Sequence, residues 1–256
     1  MLDSGRHPEA HVRDAHPTEL ADVTRVLTRA FVNDPAMNWY GCVTELVKDL
    51  DNPTPSEHKT IRNLNWFQTA AVTAAFLVGG FVDVVVVPGP SGSQGSGEEI
   101  VAVGIWFPPG ATLDLPPMKF LRAGLLKVIR GWGLTGAKRM LLDFTPAVER
   151  ALEKSFKARG LNRMDSWYLF EMVVDPVHQG KGYATMLMEA GFRRTTPKPV
   201  HLEATKANTR DIYAHFGFEV DEEHQFGVGA VDRNGINARR DAATGYPEWV
   251  MTKWAT

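Results

Sequence analysis

One run of twelve residues constrains this chain more than any other: Val173-Val174-Asp175-Pro176-Val177-His178-Gln179-Gly180-Lys181-Gly182-Tyr183-Ala184. Its valines read as the end of a strand. Pro176 stops that strand, because proline has no N–H with which to extend pairing. From Tyr183 to Arg194 the pattern reads as a helix. Between the two, Gln-Gly-x-Gly-x-Ala makes a turn whose backbone N–H groups point outward at the positive end of a helix, which is a phosphate site built from main chain. Gly180 and Gly182 lack a Cβ, so a diphosphate can approach closely and left-handed dihedrals carry no penalty.

Spacing separates the glycine-loop alternatives. A P-loop needs Gly-x-x-x-x-Gly-Lys-Ser/Thr, and here Gly180-Lys181 is followed by Gly182. A dinucleotide fingerprint needs Gly-x-Gly-x-x-Gly directly at a strand end, with an acid about 20 positions on. Glu203 sits near that offset, but the turn is Gly-x-Gly-x-Ala, and residues 175–178 intervene. Taken alone, the run is also compatible with a helix start carrying incidental glycines.

The longer run from Trp167-Tyr168-Leu169-Phe170-Glu171-Met172-Val173-Val174-Asp175-Pro176 through Gln179-Gly180-Lys181-Gly182-Tyr183-Ala184 resembles the acetyl-CoA-binding signature of the GNAT superfamily of N-acetyltransferases. Leu202-Glu203-Ala204-Thr205 and Ile212-Tyr213-Ala214-His215-Phe216-Gly217-Phe218-Glu219-Val220 are similar to the strand–helix–strand that closes that fold. Residues 11–15 with the helix ending at Asn33-Asp34-Pro35, and the strand end Gly104-Ile105-Trp106-Phe107, are weaker echoes. The resemblance spans nearly the whole chain and is specific over 167–220.

The resemblance implies an α/β fold of GNAT type over residues 1–256 as a single domain. It has a central mixed, mostly antiparallel sheet, helices on both faces and a helical insertion at about 115–160 before the CoA-binding strand. That insertion either folds over the substrate side of the cleft or enlarges the core. Acetyl-CoA is the implied cosubstrate. Met172, Val173 and Val174 would hydrogen-bond the pantetheine arm along a strand that splays from 201–204. Gln179, Gly180, Lys181, Gly182, Tyr183 and Ala184 would hold the diphosphate, with Lys181 adding a positive charge. The N–H of Val173 or Val174 would polarise the thioester carbonyl.

By the same resemblance Tyr213, four residues before Gly217, is the acid for the leaving thiolate, since a phenol of pKa about 10 keeps its proton at neutral pH. It also belongs to the CoA-binding set. The asparagine common four residues earlier in the family is Thr209 here, with Asn208 beside it as a replacement. The general base stays open between Glu171 and Glu203. Trp39, Tyr40, Trp106, Phe107 and the Leu115–Trp132 helix suggest an apolar, aromatic wall suited to a small-molecule amine, whereas no cluster of acids that would grip a basic tail is evident. A non-catalytic acyl-CoA-binding module, and transfer to oxygen or of a longer acyl group, are the alternatives.

Lys plus Arg number 28 against 30 Asp plus Glu, so no nucleic-acid footprint is expected. Cys42 is the only cysteine, which excludes an internal disulfide and suits a reducing compartment, with a buried packing role expected for it. No His or Cys spacing suggests a metal. The first 18 residues carry no apolar core of a secretory signal. Residues 69–87 read as a helix end, the Gly79-Gly80 break and a strand at 81–87, not a membrane span. A cytoplasmic protein, monomer or homodimer, with no membrane partner is expected.

Elsewhere the spacing predicts a helix capped by Thr18, a second over 58–75, and strands at 81–87 and 100–107 joined by a low-complexity flexible loop at about 88–99. Met118, Leu121, Leu125 and Ile129 make one helical stripe, and Met140, Phe144, Val148 and Leu152 another.

Overall fold

The computed structural model describes residues 6–89, 97–111 and 117–255. The first half contains β1 (His11–Asp14), α1 (Leu20–Phe31), α2 (Pro35–Gly41), α3 (Pro55–Leu77), β2 (Phe81–Pro88) and β3 (Glu98–Phe107). A helical stretch follows: α4 (Pro117–Ala123), α5 (Leu125–Lys138), a π-helical turn (Arg139–Phe144) and α6 (Thr145–Ala158). The chain closes with β4 (Trp167–Val174), α7 (Tyr183–Thr195), β5 (Val200–Ala204), α8 (Ala207–His215), β6 (Glu219–Phe226) and β7 (Tyr246–Lys253).

The seven strands form one sheet in the order β1-β2-β3-β4-β5-β7-β6. Every neighbouring pair is antiparallel except β4–β5. Side-chain alternation explains the valine run of β2. Val84 and Val86 join Val23 and Leu27 of α1 and Val72 and Ala75 of α3, while Val85 and Val87 join Tyr183 and Leu187 of α7 on the other face. Pro88 pairs with Glu98, so β2 and β3 form the expected hairpin. The expected flexible loop falls largely on residues 90–96, outside the described residues.

Helix ends follow their caps. Thr54 and Glu57 make a capping box that starts α3 earlier than apolar spacing indicates. Asp34, expected only to end α1, also caps the short α2 by accepting from the N–H groups of Ala36 and Met37. Thr18 does not cap α1; it lies in a 3₁₀ turn, Pro17–Glu19, and contacts the His16 ring at 2.8 Å.

The helical stretch divides its work. α4 and α5 pack against α3, whereas α6 packs on β6 and β7 through Val148, Ala151, Leu152 and Phe156. Thus the second stripe is largely core, while Met118 and Leu121 of the first are exposed.

α7 approaches the sheet very closely at Gly191. A Cβ there would lie 2.0 Å from the Trp106 indole. Gly191→Ala should therefore destabilise the fold by about 1–3 kcal/mol through overpacking. Thermal unfolding checks this, and a melting temperature equal to wild type would contradict the close approach.

Candidate active site

Strands β4 and β5 pair at only two positions, Trp167 with Val200 and Tyr168 with His201. Beyond them the strands diverge, and the edge of β4 facing β5 is left open. The amide of Asp175 donates to the Val101 carbonyl on the β3 side. Alternation along the strand then turns the backbone groups of Met172 and Val174 toward the opening and those of Val173 toward β3. Of the amides of Val173 and Val174, that of Val174 faces the opening.

Below the opening, Gly180 and Gly182 both adopt φ of +77°. Gly182 is the residue ahead of α7, and no side chain caps that helix. The first-turn N–H groups of α7 lack partners within the helix. Asp175 anchors the loop. It accepts from Arg29 Nε at 2.9 Å and lies 3.7 Å from Arg25, which ties the loop to α1. It also accepts from the Val177 amide.

The opening leads into a cavity of about 1030 Å³ that runs under α5. Met172, Val173, Val174, Gln179, Gly180 and Gly182 line it, together with Tyr183 and Ala184 at the head of α7. Asn208, Thr209 and Tyr213 of α8 line the same space, as do Glu171 and Glu203 from the two diverging strands. Tyr40, Phe107 and Trp132 contribute to its walls as expected, together with Phe67 and Phe170, which were not foreseen as wall residues. Phe67 stacks on Trp132 with ring centroids 4.8 Å apart.

Three expected site residues lie elsewhere. Trp106 neighbours Phe107 on β3, so its side chain takes the opposite face, where it stacks on Phe81 against α7. Trp39 is buried behind Tyr40, against Phe226 and Tyr246. The Lys181 side chain is not part of the cavity wall, and its carbonyl accepts from Arg6 Nε at 3.4 Å. Cys42 is half-buried, not core. It sits at a left-handed φ of 51° with its sulfur 3.3 Å from the Arg139 guanidinium, outside the cavity wall.

The largest departure from the sequence reading is electrostatic. Five carboxyl groups line the cavity: Asp34 ahead of α2, Glu171 on β4, Glu203 on β5, Glu248 on β7 and the exposed Asp211 on α8, which pairs with Arg210. Asp34 is occupied by its helix cap and by the Thr205 hydroxyl at 2.6 Å, and Lys206 lies 3.9 Å away. Glu203 accepts from the Tyr168 hydroxyl at 2.6 Å. Glu171, only 4% exposed, has no partner in bonding geometry on either oxygen among the described residues, although the buried Gln68 side chain lies close enough to act on it. One oxygen each of Glu203 and Glu248 is likewise unpartnered. These acids are scattered from position 34 to 248, which is why no cluster is visible along the sequence.

Burial pushes the Glu171 carboxyl up to about 8, with the nearby Asp34 carboxylate adding to the effect and the Gln68 amide opposing it. Burial raises Glu203 to about 7 against the opposing Tyr168 hydroxyl. Glu248 lies well above the ordinary range through burial, and then through Glu203 and Asp34. Tyr213 is also pushed upward, first by burial and then by the same acids, so its phenol holds its proton.

These shifts fix a sign for stability. Acids whose folded pKa exceeds the unfolded value bind more protons in the folded state, so stability falls as pH rises through that interval. The buried His201, depressed by burial to about 3 from 6.5, works the other way below pH 6.5. Between 6.5 and about 8 the acids act alone, and the ligand-free protein should lose stability over that window. Melting curves at the two ends check this; Glu171→Gln should flatten the decline.

Sequence and structure comparisons agree with this geometry. Residues 152–220, which hold β4, the glycine loop, α7, β5 and α8, match the family model of the acetyltransferase (GNAT) domain. That stretch, about a quarter of the chain, is similar to the GNAT acetyltransferase domain. An uncharacterised N-acetyltransferase of Schizosaccharomyces pombe is 31% identical over 122 residues, 47% of this chain and 48% of that protein. The match thus spans about half the length of this curated relative. The GNAT fold itself extends further. A solved histone acetyltransferase HPA2 and related acetyltransferase of Corynebacterium glutamicum aligns over 96% of this chain and 97% of its own, with a TM-score of 0.54 and 20% identity. A putative arylalkylamine N-acetyltransferase 7 of Aedes aegypti aligns over 95% and 86%, with a TM-score of 0.56 and 17% identity.

Proposed function

We propose that this GNAT protein transfers the acetyl group of acetyl-CoA directly to the nitrogen of a small-molecule amine. The observation that carries the reading is Glu171: a buried carboxyl with no charged partner and no hydrogen bond in bonding geometry, beside the open β4 edge and in the same cavity as the glycine loop and Tyr213. A buried carboxyl with no partner is costly unless a cation or proton completes it. An acceptor ammonium supplies both.

In this reading the loop amides and the head of α7 hold the diphosphate, and the β4 edge at Met172 and Val174 holds the pantetheine amides. Glu171 takes a proton from the acceptor ammonium, with Glu203 as its neighbour across the opening. The freed nitrogen forms a bond to the acetyl carbon, whose carbonyl oxygen is polarised by the Val174 amide. The carbon–sulfur bond breaks, Tyr213 gives its proton to the departing sulfur, and the second proton of the acylated nitrogen passes to the Tyr213 oxygen, which leaves neutral amide and thiol and one proton on Glu171 to be lost to solvent. Asn208 and Thr209 flank Tyr213 along the arm. The aromatic walls fit an acceptor with an apolar body, its amino end directed at the carboxyls.

Thiol release from acetyl-CoA with a panel of arylalkylamines and aliphatic amines, and with the matching alcohols, tests the reading. Amines should turn over and alcohols should not. Acetyl-CoA binding without turnover of any amine would favour a binding module, and turnover of alcohols alone would move the activity to oxygen. Longer acyl-CoA donors in the same assay define the donor.

The loop gives a quantitative expectation. At Gly182 a Cβ would fall 2.6 Å from the Arg6 guanidinium, in a backbone conformation that β-branched residues avoid. Gly182→Val should weaken acetyl-CoA binding at least tenfold, or about 1.4 kcal/mol. Equal affinity in calorimetry would remove the loop from the phosphate site.

A further inference from the structure

Half of the large apolar side chains exposed among the described residues fall in one short stretch of the chain: Met118, Leu121, Leu126, Leu134, Leu141 and Leu142. They lie on α4, α5 and the π-helical turn, the elements that roof the cavity. Between Asp114 and Asp143 the sequence holds six cationic residues and no acid, although the chain as a whole carries a net charge of −2. Arg139 donates to the Trp39 carbonyl, and Lys138 pairs with Asp143. Lys119, Arg122, Lys127 and Arg130 form no ion pair among the described residues. The inner side of the same helices, through Val128 and Trp132, packs into the core. The segment is therefore amphipathic twice over: apolar inward for packing, and leucine-with-cation outward.

We infer that this outer face docks on an anionic phospholipid surface. A basic helical segment with exposed leucines matches an interface where acyl chains take the leucines and anionic headgroups take the cations. A second copy of the chain is a poorer occupant, because self-association through this patch sets like charges against each other. A nucleic acid would engage the cations and leave the leucines in water. The inference concerns peripheral docking. No helix among the described residues is long and apolar enough to cross a membrane. It revises the expectation of no membrane partner and is independent of the chemistry proposed for the cleft. Leu141 is both exposed and part of the cavity wall, so the docking face adjoins the roof of the cavity.

Flotation with lipid vesicles, without acetyl-CoA or acceptor, tests the docking. The protein should float with phosphatidylcholine vesicles containing phosphatidylserine, should not float with phosphatidylcholine alone, and should be released by high salt. Two variants avoid the cavity wall: Leu126→Ser with Leu134→Ser and Leu142→Ser, and Lys127→Gln with Arg130→Gln. Each should reduce the partition coefficient about tenfold or more. The charge variant carries the test if the leucine variant unfolds early. Failure of wild type to float with phosphatidylserine vesicles, or flotation undiminished in the charge variant, would overturn the inference. So would a wild-type dimer in light scattering that the leucine variant converts to monomer, since a second copy would then cover the face.

Discussion

Glu171→Gln should lower turnover about a hundredfold at neutral pH while leaving the protein at least as stable as wild type. Glutamine keeps the size of the side chain and removes the charge. Positioned general bases contribute on the order of 10²–10⁴ in rate, so the loss should be at least at the low end of that range. Stability should not fall, because the carboxyl that is removed is buried, without a partner, and pushed up to about 8 by that burial. Only the ionised form accepts a proton, so wild-type kcat/KM should rise with pH through the region of 7–8 set by Glu203 and Glu171. The variant should lose most of that rise. A full rate in Glu171→Gln with a hundredfold loss in Glu203→Gln would move the base across the opening to β5.

Tyr213→Phe should cost a similar factor in kcat and leave acetyl-CoA affinity nearly unchanged. The ring is 5% exposed and packs 5.7 Å from the Phe218 ring, a contact that phenylalanine preserves. What disappears is the hydroxyl, which burial and the neighbouring acids keep protonated and able to donate to the departing sulfur. Rapid-mixing measurement of thiol release, alongside calorimetry of acetyl-CoA, separates the chemical step from binding. Unchanged turnover would reduce Tyr213 to a packing residue.

What could be read from sequence was whatever depends on neighbours along the chain. The β4–loop–α7 unit is such a case: a proline, two glycines and a helical pattern fix it locally, and its left-handed glycines lie where the motif needs them. The valine run of β2 reads as a strand for the same reason, and its cover on both faces emerges only from the packing of α1, α3 and α7. The acid cluster was hidden because Asp34, Glu171, Glu203 and Glu248 meet only through sheet order and the α1–α2 corner. Asp34 read as a helix stop, and that description is correct as far as it goes; its place in the cavity is tertiary. Trp106 went to the wrong side because composition marks an aromatic residue without fixing its face, whereas its partner Phe107 reaches the cavity. In the helical stretch, apolar spacing alone did not distinguish α6, which packs on the sheet, from α4 and α5, which expose leucines.

The central claim is that the opening between β4 and β5, with the glycine loop beneath it, is an acyl-CoA site. Calorimetric titration of acetyl-CoA into the wild-type protein and into Gly182→Val tests it most directly. Saturable one-to-one binding to wild type is expected, with a constant at least tenfold weaker in the variant and both proteins folded. No binding heat in wild type at millimolar acetyl-CoA, or indistinguishable constants in the two proteins, would contradict it.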